Sequence, residues 1–107
     1  MANVYTNAKV DLTTTSATTL YTAPALTTSI VSSILVSEDS GNADTITLTL
    51  TDSASAVFSL FKTKAISANA TTELLTAPLV VQTGEVLKAT AASSNRLHVV
   101  ASILEVT

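Results

Sequence analysis

The chain has 107 residues, a net charge of −3 and only 12% charged residues, about half the share usual in soluble domains. Cysteine is absent and histidine occurs once, which excludes disulfides, cysteine-based zinc sites and any site built from two histidines of one chain. Five basic residues are too few for the basic patch that binds nucleic-acid phosphates. We therefore expect one domain, residues 1–107, with no nucleic-acid partner and no catalytic, cofactor-binding or metal-binding residues.

Alternation of polar and apolar residues with a period of two predicts strands along the whole chain. Polar breaks that contain serine, asparagine, aspartate or glycine separate the alternating runs. About eight short strands in a chain of this length predict an all-β fold, an antiparallel β-sandwich or jelly roll. In chain order, the eight clearest segments are residues 4–12, 18–22, 28–37, 44–52, 56–62, 79–82, 86–91 and 97–106, and two weaker ones are 64–67 and 72–75.

The segment 65–75 has a helical alternative. Alanine and glutamate there tolerate a helix, but Thr71 and Thr72 are β-branched and no 3.6-residue period is present. We therefore expect short strands at 64–67 and 72–75 instead of a helix.

The clearest alternation lies in the segment 44–52. Ile46, Leu48 and Leu50 share one face, and the threonines between them share the other. Threonine is β-branched and polar, so it can form the solvent-facing side of a strand in a chain with few charges. Regular threonine arrays also form ice-binding surfaces, but one strand carries the pattern here and no short repeat extends it.

The break between the segments 28–37 and 44–52 is rich in oxygen-bearing side chains. Glu38, Asp39, Asn42 and Asp44 could supply the oxygen ligands that calcium needs, but their spacing does not follow the EF-hand loop. A solvated hairpin loop is expected here instead.

Two predicted strands are apolar on both faces, at residues 30–36 and 97–104. One face of each sheet in an antiparallel sandwich normally meets water, so these strands need a second cover. A short chain can obtain that cover from another subunit. The alternatives are a central strand crossed by a long loop, or scattered exposed apolar residues, which are common. The candidate subunit-interface residues are Ile30, Ile34, Val36, Leu97, His98, Val99 and Ile103.

Enzymatic chemistry is not expected. His98 is the only imidazole, and no nucleophile signature accompanies it, so a packed or interface position is the expected role.

Among the aromatic residues, Phe58 and Phe61 are expected in the core. Tyr21 is the best exposed candidate for a sugar-binding platform, but packing is the expected role.

Three parts of the chain form an ordered pattern. A Thr-Leu-Tyr-x-x-Pro strand at 18–24 leads into an isoleucine-rich strand at 29–37, the segment 69–75 precedes a strand and turn at 78–88, and an apolar strand closes the chain at 97–105. In this order they resemble small virion structural proteins of tailed bacteriophages, notably marine ones. The resemblance spans nearly the whole chain and transfers no catalytic residues.

The resemblance implies a β-sandwich located on the virion and made in the host cytoplasm. The leading expectation is a capsid decoration or cement protein, a homotrimer that bridges neighbouring subunits of the major capsid protein. The alternative is a structural protein of the neck, tail or fibre, or a module that binds a host glycan. No membrane partner and no signal peptide are expected, since no basic start precedes a long apolar run.

Overall fold

The structure, a computed structural model, describes residues 3–107. These residues form nine strands and contain no helix long and apolar enough to cross a membrane. The strands are β1 (Asn3–Leu12), β2 (Thr18–Thr22), β3 (Thr28–Glu38), β4 (Asp44–Thr51), β5 (Val57–Ile66), β6 (Thr71–Glu73), β7 (Leu79–Val81), β8 (Val86–Ala91) and β9 (Leu97–Val106).

Two antiparallel sheets pack face to face, which confirms the predicted β-sandwich with nine strands instead of about eight. In the five-stranded sheet, β9 lies between β1 and β3, and the short strands β6 and β7 both pair with the other edge of β3. The four-stranded sheet has the order β2-β8-β4-β5. The loop 39–43 therefore crosses from the five-stranded sheet to the four-stranded sheet, and the hairpin predicted here is wrong because β3 and β4 do not pair.

The predicted strands 56–62 and 64–67 form one continuous strand, β5. Its register with β4 shifts on both sides of Leu48. Thr63 has a φ of 50°, and its N–H donates to Thr47 Oγ1 at 3.1 Å. A bulge adds a residue and shifts the alternation, which is why the sequence of β5 resembles two strands.

A second bulge lies in β3, where the register with β9 shifts between Val31 and Ser33. Ile30 and Ile34 are four residues apart and would share a face in a regular strand. The bulge changes this, because Ile34 is fully buried in the core whereas Ile30 points outward and is half-buried.

The core lies between the two sheets and consists of aliphatic side chains from both. Full burial of one such side chain contributes roughly 1.5–3 kcal/mol. The largest apolar side chains that are completely or almost completely buried are Leu12, Val31, Ile34, Val36, Ile46, Leu48, Ile66, Val81, Leu87, Leu97 and Val99.

Candidate functional site

The seven predicted interface residues divide between the two faces of the five-stranded sheet. Ile30 and His98 lie on its outer face and are half-buried. The other five have at most 2% of their surface exposed, so they pack within one chain and have no surface to offer a partner. These five are Ile34, Val36, Leu97, Val99 and Ile103.

The outer face of the five-stranded sheet carries a row of apolar side chains that crosses four strands. Tyr5 pairs with Leu104, Leu104 pairs with Ile30, and Ile30 pairs with Val80. Tyr5 is 84% exposed and Val80 is 49% exposed. We call these four residues the apolar row.

A second row on the same face has apolar residues at its centre and a charge at each margin. Val100 and Leu35 pair at the centre and are 39% and 41% exposed. Lys9 of β1 pairs with Val100, and Glu73 of β6 pairs with Leu35. We call these four residues the charge-flanked row.

Serines lie between the two rows, and the hydroxyls of two of them have partners within the chain. The hydroxyl of Ser32 donates to the carbonyl oxygen of Ser102 at 3.3 Å. The hydroxyl of Ser33 donates to the carboxylate of Glu73. Covering this part of the face would therefore leave these two hydroxyls satisfied.

Glu73 fills the space between β6 and β7 along the edge of β3. Its carboxylate accepts hydrogen bonds from the N–H groups of Ile34 at 2.8 Å and Leu75 at 3.2 Å. Burial acts to raise the pKa of Glu73, but its hydrogen bonds, led by that from Ser33, outweigh burial and lower the pKa. The side chain therefore holds a negative charge at the margin of the outer face.

His98 lies on the outer face between two carboxylates. Its Nε2 is 3.3 Å from Asp11 Oδ1, and its Nδ1 is 3.4 Å from Asp39 Oδ2. Because each ring nitrogen faces a different carboxylate, a protonated ring can donate to both. Within residues 3–107, no group of three or more histidine, aspartate or glutamate side chains is arranged to hold a metal ion.

The prediction of a solvated loop is wrong for two of its four acidic or amide side chains. Glu38 is 2% exposed and Asp44 is 7% exposed. The carboxylate of Asp44 accepts hydrogen bonds from the N–H groups of Thr45 at 2.8 Å and Ser93 at 3.2 Å. These two hydrogen bonds link the start of β4 to the loop that precedes β9.

The carboxylate of Glu38 joins two loops at the same end of the sandwich. It accepts hydrogen bonds from the N–H groups of Ser40 at 2.9 Å, Gly41 at 3.0 Å and Asn69 at 3.1 Å, and from the hydroxyl of Ser40. Burial acts to raise the pKa of Glu38, but these hydrogen bonds outweigh burial and lower the pKa to about 2. The role of this carboxylate is therefore structural, because its hydrogen bonds link the two loops.

Tyr21 packs against the core, the role that the sequence favours, whereas Phe58 is more exposed than the sequence predicts. Tyr21 is half-buried, and its hydroxyl donates to Glu105 Oε2 at 2.5 Å and lies 2.7 Å from Ser29 Oγ. Burial, together with the hydrogen bond to Glu105, raises the pKa of Tyr21 to about 12. Phe58 is 54% exposed, so the core position expected for it is wrong, whereas Phe61 packs against the core.

The outer face of the four-stranded sheet has a different composition. Thr45, Thr47, Thr49 and Thr51 of β4 point outward, and β8 adds Thr90 opposite Thr47. Lys88 lies opposite Thr49, and Val57 and Val86 both pair with Thr51 at one end of the face. We call it the threonine face.

Sequence reasoning missed seven of the eight residues in the two rows. Leu35, Val100 and Leu104 belong to the strands that are apolar on both faces, so deciding which residues of those strands point outward would have found them. The other four carry no local signal, because only the strand order brings them to the same face; they are Tyr5, Lys9, Glu73 and Val80.

No protein-family model, no curated protein and no solved structure matches this chain. The resemblance to phage virion proteins therefore rests on the sequence pattern alone, and the candidate site rests on the geometry of the outer face.

Proposed function

We propose that this chain is a structural protein that docks onto other protein surfaces through the outer face of its five-stranded sheet. The observation that carries this proposal is the apolar row, which extends across four strands beside Val100 and Leu35. Contiguous apolar patches on soluble proteins commonly mark interaction sites.

The architecture supports a docking role in a second way. The outer face is built from paired strands, so its shape is set before a partner arrives and little conformational entropy is lost on binding. Apolar area removed from water contributes roughly 25 cal/mol per Å². A protein that binds only an assembled shell stabilises that shell by mass action.

The setting that we propose is the virion of a tailed phage, with the chain as a capsid decoration or cement subunit. The support for this setting is the sequence resemblance over residues 18–37, 69–88 and 97–105. The partners would be the major capsid protein and further copies of this chain in a homotrimer, and the protein would be made in the host cytoplasm.

The test is the copy number of the protein per particle, measured by quantitative mass spectrometry against the major capsid protein. A decoration subunit should be present in hundreds of copies, in a simple ratio to capsid subunits. A few tens of copies or fewer would move the protein to the neck, tail or fibre. Absence from purified particles would refute the virion setting.

A glycan-binding role on the tail or fibre is the second candidate. The observation that favours it is the exposure of two aromatic rings, Tyr5 at 84% and Phe58 at 54%. Tyr5 belongs to the five-stranded sheet and Phe58 to the four-stranded sheet, so each ring would have to act alone. Binding to a glycan array that is lost in the Tyr5→Ala variant would support this candidate.

A further inference from the structure

The charge-flanked row is complementary to a second copy of itself. Lys9 is at one margin of the outer face and Glu73 is at the opposite margin, with Val100 and Leu35 between them. Both ion pairs found among residues 3–107 involve His98, so neither Lys9 nor Glu73 is in an ion pair. Each margin therefore offers a charge that the other margin of a second copy could meet.

We infer that two copies pack face to face through this surface, about a twofold axis that runs along the strands between β9 and β3. This inference rests on the docking role proposed for the outer face, and it names a second copy of this chain as the occupant in place of the homotrimer. Rotation about that axis exchanges the two margins of the sheet. Lys9 then faces Glu73 of the second copy at both ends, and Val100 faces Leu35 of the second copy.

The same rotation also matches the apolar row to itself. Leu104 faces Ile30 of the second copy, and Tyr5 faces Val80 of the second copy. Every large apolar side chain of the two rows then meets an apolar side chain. Between the rows, Ser102 approaches Ser33 of the second copy, and the hydroxyl of Ser33 already donates to Glu73 within its own chain.

A twofold axis across the strands gives a poorer match. That rotation exchanges the two rows and keeps each margin on its own side, so it places Glu73 against Val80 of the second copy and Lys9 against Tyr5 of the second copy. The carboxylate of Glu73 would then lose water without gaining a cation, which is costly. The axis along the strands is therefore favoured by charge.

The area is sufficient for a specific but modest interface. Five alternate residues of β9, from His98 to Val106, extend about 27 Å along the strand, and four strands with their side chains are about 19 Å wide. A flat face of that size covers about 500 Å² per copy, or about 1,000 Å² for the pair, the lower bound for a specific interface. We expect dissociation in the micromolar range.

The first experiment is analytical ultracentrifugation of the unmodified chain and two lysine variants, from 1 to 200 µM in roughly tenfold steps. The Lys9→Glu variant places two acidic groups together at each margin and should dissociate at least tenfold more readily. Lys62→Glu is the matched control, because Lys62 is exposed on β5 of the other sheet, and it should associate like the unmodified chain. Equal association of the Lys9→Glu variant and the unmodified chain would overturn the inference.

The second experiment locates the axis by cross-linking introduced cysteines. The unmodified chain has no cysteine, so only the introduced thiols can react. The Tyr5→Cys and Val80→Cys variants are mixed and treated with a short bismaleimide. Tyr5 faces Val80 of the second copy, whereas each of these residues lies three strand spacings, about 14 Å, from its own counterpart. Cross-linked pairs should form between the two variants and be scarce when either variant is treated alone. Cross-linking of the Tyr5→Cys variant to itself, or of a Thr49→Cys variant on the threonine face, would overturn the proposed axis.

The result for this inference can be separated from the result for the proposed function. A chain that is monomeric at 200 µM, or that has the mass of three copies, overturns the twofold pair even if hundreds of copies are found on the particle. A twofold pair that is absent from purified particles supports the inference and refutes the virion setting.

Discussion

The two sheets bury similar aliphatic inner faces, yet their outer faces differ. In the five-stranded sheet the outward positions of β3 and β9 include Ile30, Leu35, Val100 and Leu104, whereas the outward positions of β4 are all threonine. Threonine and valine have nearly the same shape and both favour strands, so local strand formation does not require the difference. Polarity of the outer positions therefore distinguishes a face that meets water from one that is suited to a partner.

The largest effect should come from comparing two neighbours on opposite faces of β3. Ile34→Asp places a charge in the core and should cost more than about 4 kcal/mol, which unfolds a domain of this size. Leu35→Asp changes an outer residue and should leave the chain folded but weaken its association. Circular dichroism and ultracentrifugation of the two variants provide the measurement. A folded Ile34→Asp variant would contradict the assignment of the two faces.

The next largest effect on stability is expected at Glu38, whose carboxylate links two loops at one end of the sandwich. The pKa of Glu38 is about 2 in the folded chain against an ordinary 4.5, so its contribution to stability is present above pH 4.5 and is lost as the pH falls towards 2. Glu38→Gln should destabilise the chain at neutral pH and should lose less stability than the unmodified chain over that pH range.

Urea unfolding at pH 7, 4 and 2.5 measures this difference. Glu85→Gln is a matched control, because Glu85 Oε1 accepts one hydrogen bond, from the N–H of Gln82 at 2.8 Å. The control should keep the acid dependence of the unmodified chain. An acid dependence that is unchanged in the Glu38→Gln variant would contradict the structural role of Glu38.

An intermediate effect is expected at the other link between the sheets, Tyr21 of β2 with Glu105 of β9. Tyr21→Phe removes the hydroxyl that donates to Glu105 and should destabilise the chain by about 1–3 kcal/mol, because a partly buried carboxylate oxygen loses its donor. Chemical denaturation at pH 7 measures this cost. A variant as stable as the unmodified chain would show that the sheets are held together without this link.

The smallest effects on stability should come from exchanges that make the outer faces more alike. Val100→Thr gives the five-stranded sheet a residue of the threonine face and should change folding stability by less than about 0.5 kcal/mol while weakening association. Thr47→Ser keeps the hydroxyl that accepts from the N–H of Thr63 and should change neither property. Thermal melts and ultracentrifugation test both variants. Equal association of Val100→Thr and the unmodified chain would show that polarity of this face is unimportant.

The period-two pattern predicted the fold class and several strand boundaries. The predicted strands 18–22, 86–91 and 97–106 agree with β2, β8 and β9 at both ends. The failures have a physical cause in bulges, which change the phase of the alternation and depend on the neighbouring strand. The register shifts in β5 made it resemble two strands, and the bulge in β3 placed Ile30 and Ile34 on opposite faces.

The candidate site could be predicted only in part. Sequence reasoning correctly identified β3 and β9 as strands with two apolar faces, but it could not say which residues of each strand point outward. It also treated Glu38 as solvated, because its burial depends on N–H groups from residues 40–41 and 69, which lie in different loops. Contacts between such distant segments leave no local pattern in the sequence.

The position of β9 at the centre of the five-stranded sheet has a consequence for the order of events during synthesis. β9 is the last of the nine described strands to be translated, yet both β1 and most of β3 depend on it for hydrogen bonds. The hairpin of β4 and β5 can form while translation continues, whereas β1 must wait until residues 13–96 have been made. The apolar row needs Leu104 and is therefore assembled only when translation of β9 is complete. The docking that we propose would then follow the synthesis of the other eight described strands.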